Sequence, residues 1–318
     1  MKKLLFLIPI IIAGAFIFSL YYHIHLKYPV PYTELEIKKG YTIHRIGEIL
    51  KEKGIIQNRT LFILYARIKD RPLKYGYYSF EGNLSIADVW SILNEGRERL
   101  IKFTIVPGDD LLDIGQKLEN KGIIDRSSFY SYVFNSENTK KMGLEGSTFE
   151  GYFPPETYYL RKNSEPEELV KNFLKLFREK YAPVIKKTDI LSPYQVMIVA
   201  SLVEKETSIR EEKPLIAGVI INRLKKKMKL QIDPTVIYAL KLAGQWDGNL
   251  TKKNMKIDSL YNTYLYRGLP PTPISSFSIE SLEAVLNFAE TDFLYFYSKD
   301  GKRHIFSRTY LQHLKNIK

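Results

Sequence analysis

With 318 residues, 45% of them hydrophobic, the chain can bury a substantial core; disorder is not its default, and two or three domains fit. It has no cysteine, which excludes disulfide frameworks, thiolate nucleophiles and Cys-based zinc or iron-sulfur centres. Its histidines (His23, His25, His44, His304, His313) show no metal-ligand spacing, and its formal net charge of +13 favours polyanionic partners such as nucleic acid, anionic lipid headgroups or an acidic wall polymer. Solvated lysine-rich faces such as Lys225, Lys226 and Lys227 are the simpler source of that charge. No metal or cofactor is expected.

The first element predicted is a transmembrane helix over residues 1–22. After Lys2 and Lys3, the run Leu4 to Tyr22 gives about 19 residues interrupted only by Pro9 and Ser19, enough to span a bilayer. The positive-inside tendency keeps the lysines cytoplasmic, so the expectation is a single-pass protein of the cytoplasmic membrane with its body on the extracytoplasmic face. Ala13-Gly14-Ala15 offers a signal-peptide cleavage site as the alternative. Cleavage there would leave Phe16, Ile17, Phe18 and Leu20 exposed at a new terminus. Either way the body is exported, which argues against a nucleic-acid partner.

Next comes an internal repeat within a region of 32–148. Ile46-Gly47-Glu48-Ile49-Leu50-Lys51-Glu52-Lys53-Gly54-Ile55-Ile56 recurs as Ile114-Gly115-Gln116-Lys117-Leu118-Glu119-Asn120-Lys121-Gly122-Ile123-Ile124, offset by about 68 residues. Each copy reads as a strand, a short helix stopped at a glycine, and a second helix capped by a polar residue. Between them Tyr75 to Phe80 reads as a strand and Ser85 to Glu95 as an amphipathic helix. Such units bind or position a ligand, or serve as a spacer that holds the next domain off the membrane.

From about Glu150 the texture shifts to longer helices and Pro-Tyr-rich loops, which marks 149–318 as a separate, mixed α+β domain. Ser192-Pro193-Tyr194-Gln195 is a capping box with proline at the first helical position, opening a helix to about Thr207. Pro214 starts a second helix, Asp233-Pro234 a third that ends near Gly244, and Ser278 caps a fourth. Phe293 to Tyr297 and His304 to Ser307 form a predicted hairpin around Asp300-Gly301, before a terminal helix.

The helix from Ser192 is apolar on nearly every side, so it is expected to be buried, and Glu204 arrives inside it. A poorly solvated carboxyl group favours its protonated form, the profile of a glycosidic general acid. Spacing alone equally allows a salt bridge from Glu204 to Arg223 or a lysine. Glu206 falls roughly 200° around the helix and is expected to point to solvent, so the two do not form a dyad. Gln231, Asp233, Thr235, Tyr238, Asn262 and Tyr264 supply amides, hydroxyls and aromatic faces suited to a sugar cleft; singly, each also reads as a cap, turn or core residue.

Ala200-Ser201-Leu202-Val203-Glu204-Lys205-Glu206-Thr207, Ile221-Asn222-Arg223-Leu224, Gln231-Ile232-Asp233-Pro234-Thr235-Val236-Ile237-Tyr238, Tyr261-Asn262-Thr263-Tyr264 and Gly268-Leu269-Pro270-Pro271 closely resemble the MltG (YceG-like) endolytic murein transglycosylases. Glu150-Gly151-Tyr152-Phe153-Pro154 with Thr157-Tyr158 does so too. The resemblance covers essentially the whole chain and implies a LysM-like region ahead of the catalytic domain. It implies cleavage of the β-1,4 bond between N-acetylmuramic acid and N-acetylglucosamine within a strand, leaving a 1,6-anhydro end, with Glu204 as acid and base. Implied partners are peptidoglycan glycan strands and cell-wall synthases (penicillin-binding proteins), beside which nascent strands are terminated. Thr272 in the Pro-Pro-x-Pro loop departs from the pattern. Rival readings are a hydrolytic muramidase using Asp233 or Glu156 as a second carboxylate, and a non-enzymatic wall-binding scaffold.

Overall fold

A computed structural model describes residues 2–96, 100–298 and 303–317, with side chains described except at 2–8 and 10. The chain divides into two compact units, Met1–Ile101 and Lys102–Lys318.

In the first unit, helix α1 (Lys2–His25) leads into β1 (Tyr28–Ile37), α2 (Ile43–Glu52), α3 (Arg59–Lys69), β2 (Gly76–Leu84) and α4 (Ile86–Glu95). Strands β1 and β2 pair antiparallel, Glu34 opposite Ser79 and Ile37 opposite Gly76. Their inward residues Val30, Leu35, Ile37, Tyr78 and Phe80 meet Leu50, Phe62, Val89 and Leu93 from the helices in one core, which Ile24 of α1 joins. Local chemistry sets the helix starts: Thr42 and Asn58 accept from the third backbone N–H beyond them, and Ser85 with Asp88 closes a capping box. Ile11, Ile12, Phe16, Ile17 and Phe18 of α1 are exposed. Among the described residues no helix is long and apolar enough to cross a membrane; part of the span expected at 1–22 lies outside the described side chains.

The second unit repeats the pattern. β3 (Ile101–Thr104), α5 (Leu111–Asn120), α6 (Arg126–Val133), the short α7 (Ser136–Lys141) and β4 (Thr157–Leu160) come in order, and β3 pairs with β4. The duplication legible in the sequence thus takes the form of two strand-helix-helix-strand motifs, one in each unit. Gly54 and Gly122, at φ of 69° and 65°, stop the first helix of each copy in the left-handed conformation.

Gly47 and Gly115 let the second helix of each motif approach the first. A Cβ on Gly47 would meet Phe62 at 3.3 Å, whereas one on Gly115 would overlap the Tyr130 ring. Gly115→Ala is therefore expected to destabilise the protein by about 1–3 kcal/mol, the range for overpacking, and Gly47→Ala by less. Chemical denaturation of the two variants checks the order; equal midpoints would contradict the close-approach reading.

Sequence texture alone starts the catalytic domain at 149, but the contacts join the second repeat to the helices that come after it. Leu111 N–H donates to Glu150 at 3.1 Å, Lys241 bridges Asp110 and Asp113 at 2.6 and 2.7 Å, and Lys205 reaches the Gly108 carbonyl at 3.0 Å. Desolvation raises the Glu150 carboxyl to about 8, with the charge of Asp110 adding to it. Beyond β4 come α8 (Pro166–Leu176), a π turn (Phe177–Tyr181), α9 (Pro193–Glu206), α10 (Lys213–Lys225), α11 (Asp233–Leu242), α12 (Ile279–Leu286), the antiparallel hairpin β5 (Tyr295–Ser298) and β6 (His304–Ser307), and α13 (Tyr310–Ile317).

Candidate active site

The site grows from the end of α9. Ser192 and Gln195 form the predicted capping box, with bonds of 3.2 and 2.9 Å, and Pro193 takes the first turn. Every residue from Val196 to Val203 is buried, as an all-round apolar helix requires. Ser201 escapes a polar penalty by donating to the Ile198 carbonyl at 2.7 Å and accepting from Ile274 N–H at 3.1 Å.

Glu204 does not take the expected protonated state. Its Oε2 accepts the Ser278 backbone N–H at 2.8 Å, the Ser278 hydroxyl at 2.5 Å and the Ser281 hydroxyl at 2.7 Å. Lys213 Nζ stands 3.3 Å from both carboxylate oxygens, and each of the two side chains is only 7% exposed. Burial pushes this carboxyl up, but the bonds from Ser278 and Ser281 and the lysine charge outweigh it and hold it below the ordinary value. The salt bridge that spacing allowed is therefore made, to Lys213 rather than Arg223. Glu204 ties α9 to α10 and to the start of α12.

Glu206, two residues on, is not in the open solvent its helical position predicts and is only partly exposed. The opposite placement of the two side chains around α9 holds, but the second side is a cavity of about 500 Å³ lined by Glu206, Arg223, Gln231, Asp233, Tyr264 and His304 among others. The helix runs out at Thr207, so Glu206 stands in its last turn, where the dipole disfavours a carboxylate. Desolvation raises its carboxyl to about 8, with the charge of Asp233 adding to the effect. Among the described residues no protein group hydrogen-bonds it. With its carboxyl raised in this way and no bond from the described residues, Glu206 favours the protonated form at neutral pH.

The residues expected to line a sugar cleft divide into two sets. Gln231, Asp233 and Tyr264 share the cavity with Glu206. The Tyr264 hydroxyl donates to Asp233 Oδ1, and burial, then that bond, raises the phenol. Gln231 adopts φ of 53° and is fixed by its N–H to the Thr263 carbonyl at 3.2 Å. Arg223 braces the same turn, donating from Nη1 to the Leu230 carbonyl at 2.6 Å and from Nε to the Leu294 carbonyl at 2.6 Å.

Thr235, Tyr238 and Asn262 are buried outside the cavity with their polar atoms consumed. Thr235 bonds the Ile232 carbonyl and Thr263, Tyr238 donates to Glu150 at 2.8 Å, and Asn262 bridges the Met255 and Ile257 carbonyls at 3.0 and 2.8 Å. They shape the loops that carry the lining residues. Glu156 is elsewhere, paired with Lys180 at 2.9 Å. Gly268 to Pro271 line a separate groove of about 530 Å³ that contains neither Glu204 nor Glu206. Among the described residues no cluster of His, Asp and Glu is placed to hold a metal ion.

Two residues of the cavity have no signal in the sequence. His304 reads only as the start of a strand, and Glu206 as solvent-facing, because their surroundings come from segments distant in the chain.

Residues 35–318 match the YceG-like family, and the chain belongs to it. It is 30% identical over 301 residues to the endolytic murein transglycosylase of Bacillus subtilis (strain 168), covering 88% of this chain and 82% of that one. The endolytic murein transglycosylase of Streptococcus pneumoniae serotype 2 is 29% identical over 298 residues, covering 83% of this chain; the chain spans about half, 54%, of that longer relative. The crystal structure of a yceG-like protein from Listeria monocytogenes superposes with a TM-score of 0.60 at 29% identity, covering 89% of this chain and 98% of that one.

Proposed function

We propose that this chain is an endolytic murein transglycosylase, as its Bacillus relative is named, and that Glu206 rather than Glu204 is its acid and base. The observation that carries the assignment is the unpartnered Glu206 carboxyl, raised to about 8, on the wall of an open cavity. A protonated carboxyl donates to the glycosidic oxygen between N-acetylmuramic acid and N-acetylglucosamine, and the C1–O bond breaks. The carboxylate left behind then takes the proton of the muramyl C6 hydroxyl as its oxygen closes onto C1. The 1,6-anhydro ring forms, Glu206 is reprotonated and no water is consumed. Glu204 remains ionised and holds the helix that presents Glu206.

Cutting in heavy-oxygen water tests this. No label is expected in the new ends. Asp233 in the same cavity favours one second reading, a hydrolytic muramidase in which the second carboxylate serves the water or the sugar; label at the new reducing end would establish that reading instead.

The acid role also fixes the pH dependence. The free enzyme needs Glu206 protonated, so kcat/KM is expected to be retained through neutrality and to fall as pH rises through about 8. A fall already complete by about pH 5 would place the acid on an ordinary carboxyl group.

The run Leu4 to Tyr22 behind Lys2 and Lys3 supports an anchor in the cytoplasmic membrane with the body on the extracytoplasmic face. The first unit is read as a LysM-like glycan-positioning module, supported by its β1-α2-α3-β2 order and a groove of about 390 Å³ lined by Tyr41, Ile43, Arg67 and Arg71. Substituting Tyr41 and Arg71 by Ala is expected to weaken long-strand affinity more than turnover; unchanged affinity would leave the unit as a spacer. Wall synthases remain the partner class that such an anchored strand-cutter serves.

A further inference from the structure

Glu212, which precedes α10, holds two parts of the cavity wall together. Its Oε1 accepts the His304 backbone N–H at 2.9 Å. Its Oε2 lies 2.7 Å from His304 Nδ1 and accepts the Thr207 hydroxyl at 3.2 Å. Thr207 directly succeeds Glu206, so one carboxylate fixes both the exit of α9 and the first residue of β6. Both side chains of the Glu212–His304 pair are 9% exposed.

These bonds decide the orientation of the imidazole. Desolvation would raise the Glu212 carboxyl, but the side-chain and backbone bonds from His304 and the Thr207 hydroxyl hold it below the ordinary range. An ionised carboxylate only accepts, so Nδ1 carries the hydrogen and, in the neutral ring, Nε2 carries the lone pair. Phe296 meets the ring edge-on at 5.3 Å, which leaves the plane little freedom. Among the described residues Nε2 has no protein partner, and His304 lines the cavity that holds Glu206. A ring fixed on one nitrogen and without a described protein partner on the other, in the wall of the cavity that Glu206 also lines, is suited to contact a ligand.

We propose that His304 is a substrate-contacting residue, its Nε2 accepting a hydrogen bond from a hydroxyl or amide N–H of an N-acetylated amino sugar beside Glu206. Glu212 is the positioning residue that sets the ring. The inference rests on the reading of this cavity as the glycan-cleaving site, so its test separates binding from cleavage.

The test uses the full-length protein carrying Glu206→Gln, and calorimetric affinity for purified uncrosslinked glycan strands. His304→Asn keeps a donor where Nδ1 meets Glu212 and offers nothing at the Nε2 position. His304→Gln reaches the Nε2 position with its amide oxygen and gives up the Glu212 contact. A ligand-contacting His304 predicts that the Asn variant keeps its unfolding midpoint and binds about tenfold more weakly, one hydrogen bond's worth, while the Gln variant unfolds earlier and binds better than the Asn variant. Glu212→Gln, which keeps shape but no longer dictates the tautomer, is expected to weaken binding too, and supplies the answer should the Asn variant unfold. Parent-like affinity in a folded His304→Asn protein, or in Glu212→Gln, would show a purely structural pair and overturn the inference. Cleavage by the Glu206→Gln parent would instead overturn the acid assignment while leaving the affinity comparison intact.

Discussion

Glu206→Gln is expected to lose at least about a hundredfold in turnover, the lower range for removing a general acid, and at the same time to unfold at a higher temperature above neutral pH. The two effects share one cause. Glu206 has its carboxyl at about 8 in the folded protein and near the ordinary 4.5 when unfolded. The folded state therefore binds the proton more tightly, and stability declines as pH rises from about 4.5 to about 8. An uncharged amide removes that burden. Because the side chain keeps some solvent access, the gain at pH 8 is put at only about 1–3 kcal/mol. Scanning calorimetry and initial rates on the same preparations check both signs. A variant that is inactive and less stable would mean that the carboxylate, not the acid, is what the fold contains.

Glu204→Ala is expected to act in the opposite direction, lowering stability by about 3–5 kcal/mol at neutral pH, the cost of leaving one partner of a buried ion pair alone. Lys213 would keep its bond to the Ser278 hydroxyl at 3.1 Å but lose its counter-charge, and Ser278 and Ser281 would lose their shared acceptor. The folded carboxyl of Glu204 lies below its unfolded value, so its contribution is present above about 4.5 and is lost as pH falls through the folded value. The difference in midpoint between wild type and Glu204→Ala should accordingly be large at pH 7 and shrink in acid. A constant difference across that range would exclude the ionic account. Double substitution with Lys213→Met should recover part of the loss.

The two glutamates show what the sequence could and could not carry. Local signals are legible: the Ser192 box, the Ser278 cap, the glycine stops at Gly54 and Gly122, and the hairpin of β5 and β6 all depend on residues within a few positions of one another. The repeat is legible for the same reason. Which glutamate receives hydrogen bonds and which is left unpartnered is not, because the deciding partners, Ser278 and Ser281, stand 74 and 77 residues away. The apolar helix correctly implies a desolvated acid near its end, but desolvation without partners applies to Glu206, and desolvation with partners to Glu204.

The same distance effect explains the divided cleft residues. Thr235, Tyr238 and Asn262 have the right chemistry for a polyol, yet a buried hydroxyl or amide must find a bond, and theirs go to Thr263, Glu150 and the 255–257 backbone. Gln231, Asp233 and Tyr264 line the cavity, where Arg223 and the left-handed turn at Gln231 brace the segment that carries the first two. Residue type in a motif thus marks the segment correctly without distinguishing the residues that line the site from those that build it.

Whether the chain cuts glycan through Glu206 is read from the count of 1,6-anhydro ends, by mass, released from purified uncrosslinked strands. Wild type, Glu206→Gln and Glu204→Gln are compared at equal concentrations of folded protein. Anhydro ends are expected from wild type and from whatever fraction of Glu204→Gln is folded, and none above background from Glu206→Gln. Abundant ends from Glu206→Gln, with none from folded Glu204→Gln, would contradict it and return the acid to Glu204.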